Sequence, residues 1–159
     1  MNIRIIAIGK IKENYLKDGI NKYIKRLQKY AKVEIDEVDD VSLSDKPNTS
    51  EIEKAKQIEG ERVLKLLKPS DFVISLDMNK KEMESPEFAK YLEKKFVEGG
   101  SKLTFVIGGS YGLSNELKRR ANDSISLSKM TFLHQMTRLI ILEQIYRSFK
   151  ILNNETYHK

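Results

Sequence analysis

The stretch that most constrains the fold is LTFVIGGSYGLS, from Leu103 to Ser114. It begins with an apolar run that is too short for a helix and rich in β-branched and aromatic residues, which is typical of a buried strand. Gly108 and Gly109 follow directly, so the backbone must turn sharply or approach something bulky where a Cβ would not fit. Ligands bind at the carboxyl ends of strands in open α/β sheets, so this turn is a candidate binding site. A double glycine alone leaves an ordinary loop as the alternative.

A second stretch, SISLSKMTFLHQMTR from Ser124 to Arg138, repeats this pattern. Ile125 and Leu127 alternate with serines as a short strand, and the chain then enters a long helix for which Thr131 is the expected cap. Two strand ends that carry glycine-rich and hydroxyl-rich turns are sufficient to build one pocket. The spacing matches neither a P-loop nor a dinucleotide-binding turn.

Composition excludes several classes of function. The chain of 159 residues has no cysteine, which removes disulfides and thiolate chemistry, and its two histidines argue against a catalytic metal cluster. No apolar run approaches the length of a membrane span, so we expect a cytoplasmic protein without a membrane partner. Residues 101–159 hold 9 Lys and Arg against 4 Asp and Glu, whereas residues 1–100 hold 20 against 19. The positive excess therefore accompanies the glycine turn, which suits a phosphate-bearing partner, although a slightly unbalanced solvated surface remains the alternative.

The remaining pattern alternates strands with amphipathic helices. It predicts an α/β fold with a mainly parallel sheet, helices on both faces, and one domain over residues 1–159. Ser50 and Glu53 are the expected capping box of the second helix, and Ser85 is the expected N-cap of the third. Residues 77–84 are predicted as a charged loop that brings Leu76 to the same sheet edge as Gly108. The first helix carries a basic face for which simple solvation is the usual explanation and RNA contact the rarer one: Lys17, Lys22, Lys25, Arg26 and Lys29.

The last helix, from about Leu133 to Leu152, is apolar over an unusually wide arc. Met136, Leu139, Ile140, Ile145 and Phe149 form an ordinary stripe, and the arc is widened by Ile141, Leu142 and Tyr146. Such a helix must be covered on two sides, which predicts a homodimer through this helix. Burial in the core of a monomer is the alternative.

Three motifs carry a resemblance to a known family: FVIGGSYGLS at 105–114, SLSKMTFLHQMTRLIILEQIYRSFKI at 126–151 and YHK at 157–159. The chain resembles the ribosomal RNA large subunit methyltransferase H family of the SPOUT methyltransferases. That resemblance implies a homodimer, a C-terminal third threaded into a trefoil knot, and S-adenosylmethionine as the methyl donor, with no metal. It also implies a donor site made of Leu76, Gly108, Leu127, Ser128, Lys129, Met130, Thr131 and Phe132.

The implied reaction is methylation at N3 of a pseudouridine in helix 69 of 23S rRNA, on the assembled ribosome. The resemblance assigns catalysis and substrate binding to the tail, where Tyr157 offers a stacking ring, His158 an imidazole and Lys159 a cation. Arg138 is a further substrate-binding candidate for a phosphate or the donor carboxylate, with a salt bridge as its alternative, and His134 is expected to be structural. The family commonly has proline where Leu133 and Thr156 stand, and often arginine where Lys159 stands. The rival functions are a SPOUT methyltransferase that acts on tRNA and a non-catalytic ribosome- or RNA-binding dimer.

Overall fold

The computed structural model describes all 159 residues as five strands and five helices that alternate along the chain. The five strands are parallel and lie in the order β2-β1-β4-β3-β5. This confirms the predicted α/β class with a parallel sheet, while the threading of a knot stays a prediction. The elements are β1 (Asn2–Ile8), α1 (Asn14–Leu27), β2 (Lys32–Val38), α2 (Thr49–Leu64), β3 (Val73–Lys81), α3 (Ser85–Glu98), β4 (Lys102–Ile107), α4 (Asn115–Arg120), β5 (Asp123–Ile125) and α5 (His134–Leu152).

Helices cover both faces of the sheet, as the sequence predicts. Alternate residues of a strand point to opposite faces, so Ile5 and Phe105 face α1, α3 and α5, whereas Ile6 and Val106 face α2 and α4. Both layers are buried, which explains why the central strands are almost continuously apolar in sequence. None of the helices combines the length and the apolar character that crossing a membrane would require.

Two helices begin earlier than predicted. The side chain of Asn48 accepts a hydrogen bond from the N–H of Glu51 at 2.8 Å, and the Glu51 carboxylate accepts one from the N–H of Asn48. This capping box satisfies the first turn of α2, so Ser50 lies inside the helix and does not cap it. In α3 the cap is Glu84, and Ser85 is already helical.

The main error of the sequence prediction concerns β3, which continues to Lys81 where a loop was expected. The strand pairs with β5 up to Leu76, departs from the regular register, and pairs again through Lys81, whose carbonyl accepts a hydrogen bond from the N–H of Ser126 at 2.9 Å. The polar residues between these two points therefore form a bulged strand. The partner strand β5 is shorter than predicted, since it ends at Ile125 and not at Ser128.

The wide apolar arc of α5 is oriented differently from the predicted stripe. Ile141, Leu142, Ile145 and Phe149 are buried in the core between α1, α3 and the sheet. The other apolar positions are only half-buried, namely Met136, Leu139, Ile140 and Tyr146. Ile141 and Leu142, which were expected only to widen the stripe, are thus among the fully buried residues. The reason is that the neighbouring helices decide which side of an apolar helix is covered. Pairing of the half-buried side with a second copy stays a prediction.

Candidate active site

A cavity of about 740 Å³ opens at the carboxyl edge of the sheet, where β4 and β5 end and the regular pairing of β3 stops at Leu76. Its walls are residues 76–79, residues 107–113 and residues 126–128 with 130–132, and the beginning of α5 closes one side. The structure brings seven of the eight predicted donor-site residues to this cavity: Leu76, Gly108, Leu127, Ser128, Met130, Thr131 and Phe132. The eighth, Lys129, is not part of the lining. The lining also contains Asp77, Met78 and Asn79, which the predicted donor site omits. Their position directly after the apolar part of a strand is the sequence feature that could have indicated them.

The wall after β4 is a tight turn made mostly of backbone. The N–H of Gly112 donates to the carbonyl of Gly109 at 3.1 Å, and Gly112 has φ +87°, a conformation that L side chains rarely adopt. A Cβ on Gly108 would lie 2.9 Å from the carbonyl carbon of Gly112, so no side chain fits there. The glycines therefore allow the chain to fold back tightly on itself at this wall of the cavity.

Hydroxyl groups shape the wall after β5. Ser126 donates from Oγ to the carbonyl of Ser128 at 3.0 Å, and the Oγ of Ser128 accepts from the N–H of Met130 at 3.0 Å. Thr131 does not cap α5, because its Oγ1 donates to the Sδ of Met78 at 3.3 Å and Leu133 occupies the cap position. This contact joins the segment after β5 to the bulge of β3 across the cavity.

The cavity carries little net charge. Asp77 and Lys118 form an ion pair at 3.6 Å, and His134 also lies on the lining. Burial lowers the pKa of His134, and the nearby positive charge of Arg138 lowers it further. The imidazole is therefore neutral at neutral pH and adds no cation to the cavity.

Arg138 does not line the cavity; it forms the salt bridge that was the alternative to a substrate contact. Its side chain is 1% exposed, pairs with Glu37, and donates to the carbonyl of Gly9 at 2.7 Å. The guanidinium thus joins the first turns of α5 to the ends of β1 and β2.

The tail packs along the far half of α5 and away from the cavity of its own chain. The Tyr157 hydroxyl donates to Glu143 at 3.1 Å and lies 3.2 Å from the hydroxyl of Tyr23, while Arg147 lies 4.7 Å above the Tyr157 ring. Arg147 also contacts Nδ1 of His158 at 3.1 Å, and Lys159 is exposed. Burial, the hydrogen bond with Tyr23 and the charge of Glu143 raise the pKa of Tyr157, so its hydroxyl stays protonated.

Along α5, the tail contacts lie about 9 to 15 Å beyond Thr137, the last residue of the helix on the cavity, at about 1.5 Å per residue. The structure therefore brings the predicted donor residues together and keeps the predicted catalytic residues separate from them within one chain.

An open parallel sheet with a cavity at its carboxyl edge is the arrangement in which α/β proteins commonly bind small ligands. Residues 1–158 match the family described as "Predicted SPOUT methyltransferase". Curated relatives named ribosomal RNA large subunit methyltransferase H, from Carboxydothermus hydrogenoformans and Acetivibrio thermocellus, are 52% and 54% identical over 159 residues, covering 100% of this chain and of each relative. The solved tRNA (m1G37) methyltransferase of Aquifex aeolicus shares the fold with a TM-score of 0.51 at 16% identity, over 92% of this chain and 70% of that chain. The chain therefore belongs to the ribosomal RNA large subunit methyltransferase H family of SPOUT methyltransferases.

The environment of His134 predicts a dependence of stability on pH. Its pKa in the folded state is below the ordinary value of 6.5, so the unfolded chain binds the proton more readily, and stability is lost as the pH falls below about 6.5. We expect the difference in unfolding free energy between wild type and His134→Gln to shrink from about pH 7.5 to about pH 5 in denaturant titrations. An equal difference at both pH values would contradict the assignment of this dependence to His134.

Proposed function

We propose that this chain transfers a methyl group from S-adenosylmethionine to N3 of a pseudouridine in helix 69 of 23S rRNA. In this proposal it acts as a homodimer on the assembled ribosome in the cytoplasm. The observation that carries it is the cavity at the carboxyl edge of the sheet, in a chain that is 52% and 54% identical over its full length to relatives named ribosomal RNA large subunit methyltransferase H.

The cavity fits such a donor in size and chemistry. A volume of about 740 Å³ lies within the range of pockets that enclose drug-sized ligands, and nine of the 21 lining residues are hydrophobic. The glycine turn offers main-chain groups for polar contacts, and the Asp77–Lys118 pair adds one charge of each sign. S-Adenosylmethionine supplies a methyl group on a positively charged sulfur, which is a good leaving group. The cavity residues therefore need only hold the donor and orient its methyl group toward the acceptor.

The tail has the groups needed at the acceptor base. N3 of pseudouridine is weakly acidic, so the protein must stabilise its anion, and the Lys159 ammonium is a cation free to do so. We assign base stacking to the ring of Tyr157, and the imidazole of His158 is the candidate for proton transfer. The Tyr157 hydroxyl is an unsuitable base because it is held protonated.

The separation of tail and cavity within one chain favours a site shared between two copies. None of the tail residues lines the cavity of its own chain. We therefore assign the tail at each cavity to the second subunit of the homodimer, which would cover the half-buried side of α5. Two copies of one helix commonly form such a self-complementary contact.

Donor titration and RNA mapping test the proposed function together. Calorimetric titration of the protein with S-adenosylmethionine is expected to release heat, and a strain that lacks the gene is expected to lose the methyl group on the helix 69 pseudouridine in mass mapping of its rRNA. A methyl group lost from tRNA instead would support the tRNA alternative. The absence of any heat at high protein concentration would support a non-catalytic RNA-binding dimer.

Removal of the tail should separate binding from turnover. A variant that lacks residues 157–159 is expected to keep the dimer and the donor affinity, because the cavity and most of α5 are unchanged, while turnover falls by at least about 100-fold. Sedimentation, calorimetry and a methylation assay on ribosomes measure the three properties. Unchanged turnover would show that the tail is only a surface segment.

The basic face of α1 is the candidate surface for the RNA backbone. Lys22, Lys25 and Arg26 are exposed, and none of them forms an ion pair within the chain. This face adjoins the tail, since Tyr23 contacts Tyr157 and Lys29 pairs with Glu155 at 3.3 Å. Unpaired cations beside a potential stacking ring suit a phosphate backbone around an exposed base.

Neutralising this face should weaken ribosome binding in a salt-dependent way. For Lys22→Gln/Lys25→Gln we expect a higher KM for ribosomes and a dependence of log KM on log salt concentration that is shallower by about 1 to 2, since each lost phosphate contact removes about one unit. The matched control is Lys54→Gln/Lys65→Gln, two exposed and unpaired lysines of α2 and its cap on the opposite face of the sheet. Equal effects of both pairs would mean that only net charge matters.

A further inference from the structure

Glu59 is a buried carboxylate that neither the cavity nor the tail uses. It lies on the face of α2 that packs toward the sheet, between Ala55 and Val63, and it is 7% exposed. Acidic side chains rarely occupy such positions because burial without partners is costly. Burial raises the pKa of this carboxyl, although a hydrogen bond from Val41 opposes the effect. The sequence contains one sign of this burial, because Glu59 lies at helical spacing between the apolar positions Ala55 and Val63.

The carboxylate bridges two segments at the carboxyl edge of the sheet. Its Oε2 accepts a hydrogen bond from the N–H of Val41 at 2.9 Å, which fixes the loop between β2 and α2. On its other side it faces the glycine turn, because a Cβ on Gly109 would lie 3.5 Å from Oε1 and 3.7 Å from Oε2. The nearest basic side chain on α2, Arg62, donates to the carbonyl of Asp39 at 2.8 Å and makes no ion pair with Glu59.

The next residue of α2 contacts the other end of the same segment. A Cβ on Gly60 would lie 2.3 Å from Oγ of Ser114, so glycine allows this close approach. Ser114 is the N-cap of α4, and its Oγ accepts from the N–H of Leu117 at 3.2 Å. Two consecutive residues of α2 thus support the segment from Gly109 to Ser114 at both of its ends.

We propose that Glu59 is a positioning residue that holds the glycine turn in the shape required for donor binding. The turn contains Gly109 and Gly112, and its tip at Ser110 and Tyr111 has no helix or strand of its own. The carboxylate lies against the turn from behind, and the hydrogen bond from Val41 holds the carboxylate in place. The identity of the ligand rests on the proposed function, whereas the support of the turn does not.

The experiment compares three variants of the full-length protein. Glu59→Ala removes the carboxylate behind the turn. Its dissociation constant for S-adenosylmethionine is expected to rise by about tenfold or more, because the loss of one buried hydrogen-bonded contact has an effect of this size. Glu59→Gln keeps the side-chain length and an acceptor for Val41, so its affinity should stay within about threefold of wild type. Val63→Ala, one turn further along α2 at a fully buried site, is expected to lower the melting temperature and leave donor affinity unchanged.

Hydrogen exchange provides a readout that needs no donor. The N–H of Gly112, which bonds to Gly109, is expected to exchange faster in Glu59→Ala than in wild type or Val63→Ala. This measurement separates failure of the inference from failure of the proposed function, in which the wild type itself would not bind the donor. If Glu59→Ala does not fold, Val41→Pro removes the same hydrogen bond from the loop side and should give the same faster exchange.

Two results would overturn the inference. One is wild-type exchange at Gly112 in Glu59→Ala. The other is equal loss of donor affinity in Glu59→Ala and Val63→Ala when both are equally destabilised, which would reduce Glu59 to a general contributor to stability.

Discussion

One buried guanidinium anchors the first turns of the last helix, and the cavity lies beside those turns. Arg138 is almost fully buried and joins α5 to the carbonyl of Gly9 and the carboxylate of Glu37, at the ends of β1 and β2. A buried charge with its partners in place holds a fixed geometry, since separating them would leave an unpaired ion in the core. The chain leaves β5 at one end of the sheet and must reach β1, so residues 126–133 have to pass the ends of β3 and β4. That crossing is about 14 Å at the usual spacing between strands, and it forms a wall of the cavity.

The other walls come from places where regular structure is interrupted. After β4, the glycine turn folds back on itself so closely that Gly108 cannot carry a side chain. Next to it, β3 departs from its register with β5 after Leu76 and returns at Lys81. Glycine-lined turns and bulges cost stability within a sheet, and proteins often retain such local conflicts at functional sites. Here both interruptions lie at the same edge, directly over the ends of neighbouring strands, and α2 supports one of them from outside the cavity through Glu59.

The sequence predicts most of the strands and points to the sheet edge at which the cavity lies, because both depend on local patterns. A buried parallel strand must be apolar on two faces, so the run ending at Ile107 is recognisable without any structure. The extension of β3 was missed because residues 77–81 are mostly polar. Only Lys81 pairs with β5 again after the bulge, and this tertiary contact is not encoded in the local composition. The orientation of α5 was missed because a helix that is apolar on most sides has no single preferred face. The position of the tail depends on Tyr23, which is 134 residues away from Tyr157, and no local pattern encodes such a contact.

The two ends of α5 carry different parts of the proposed chemistry. His134 and Thr137 line the cavity at its beginning, whereas Glu143 and Arg147 hold the tail further along. If two copies pair antiparallel about a two-fold axis near Leu142, Thr137 of one copy is level with Arg147 of the other, since these positions lie five residues on either side. The separation along one helix then becomes proximity between two copies, and each of the two sites receives a tail. The half-buried apolar residues Met136 and Ile140 lie one turn apart on this part of the helix, so such pairing would also cover a surface that the fold of one chain leaves partly open.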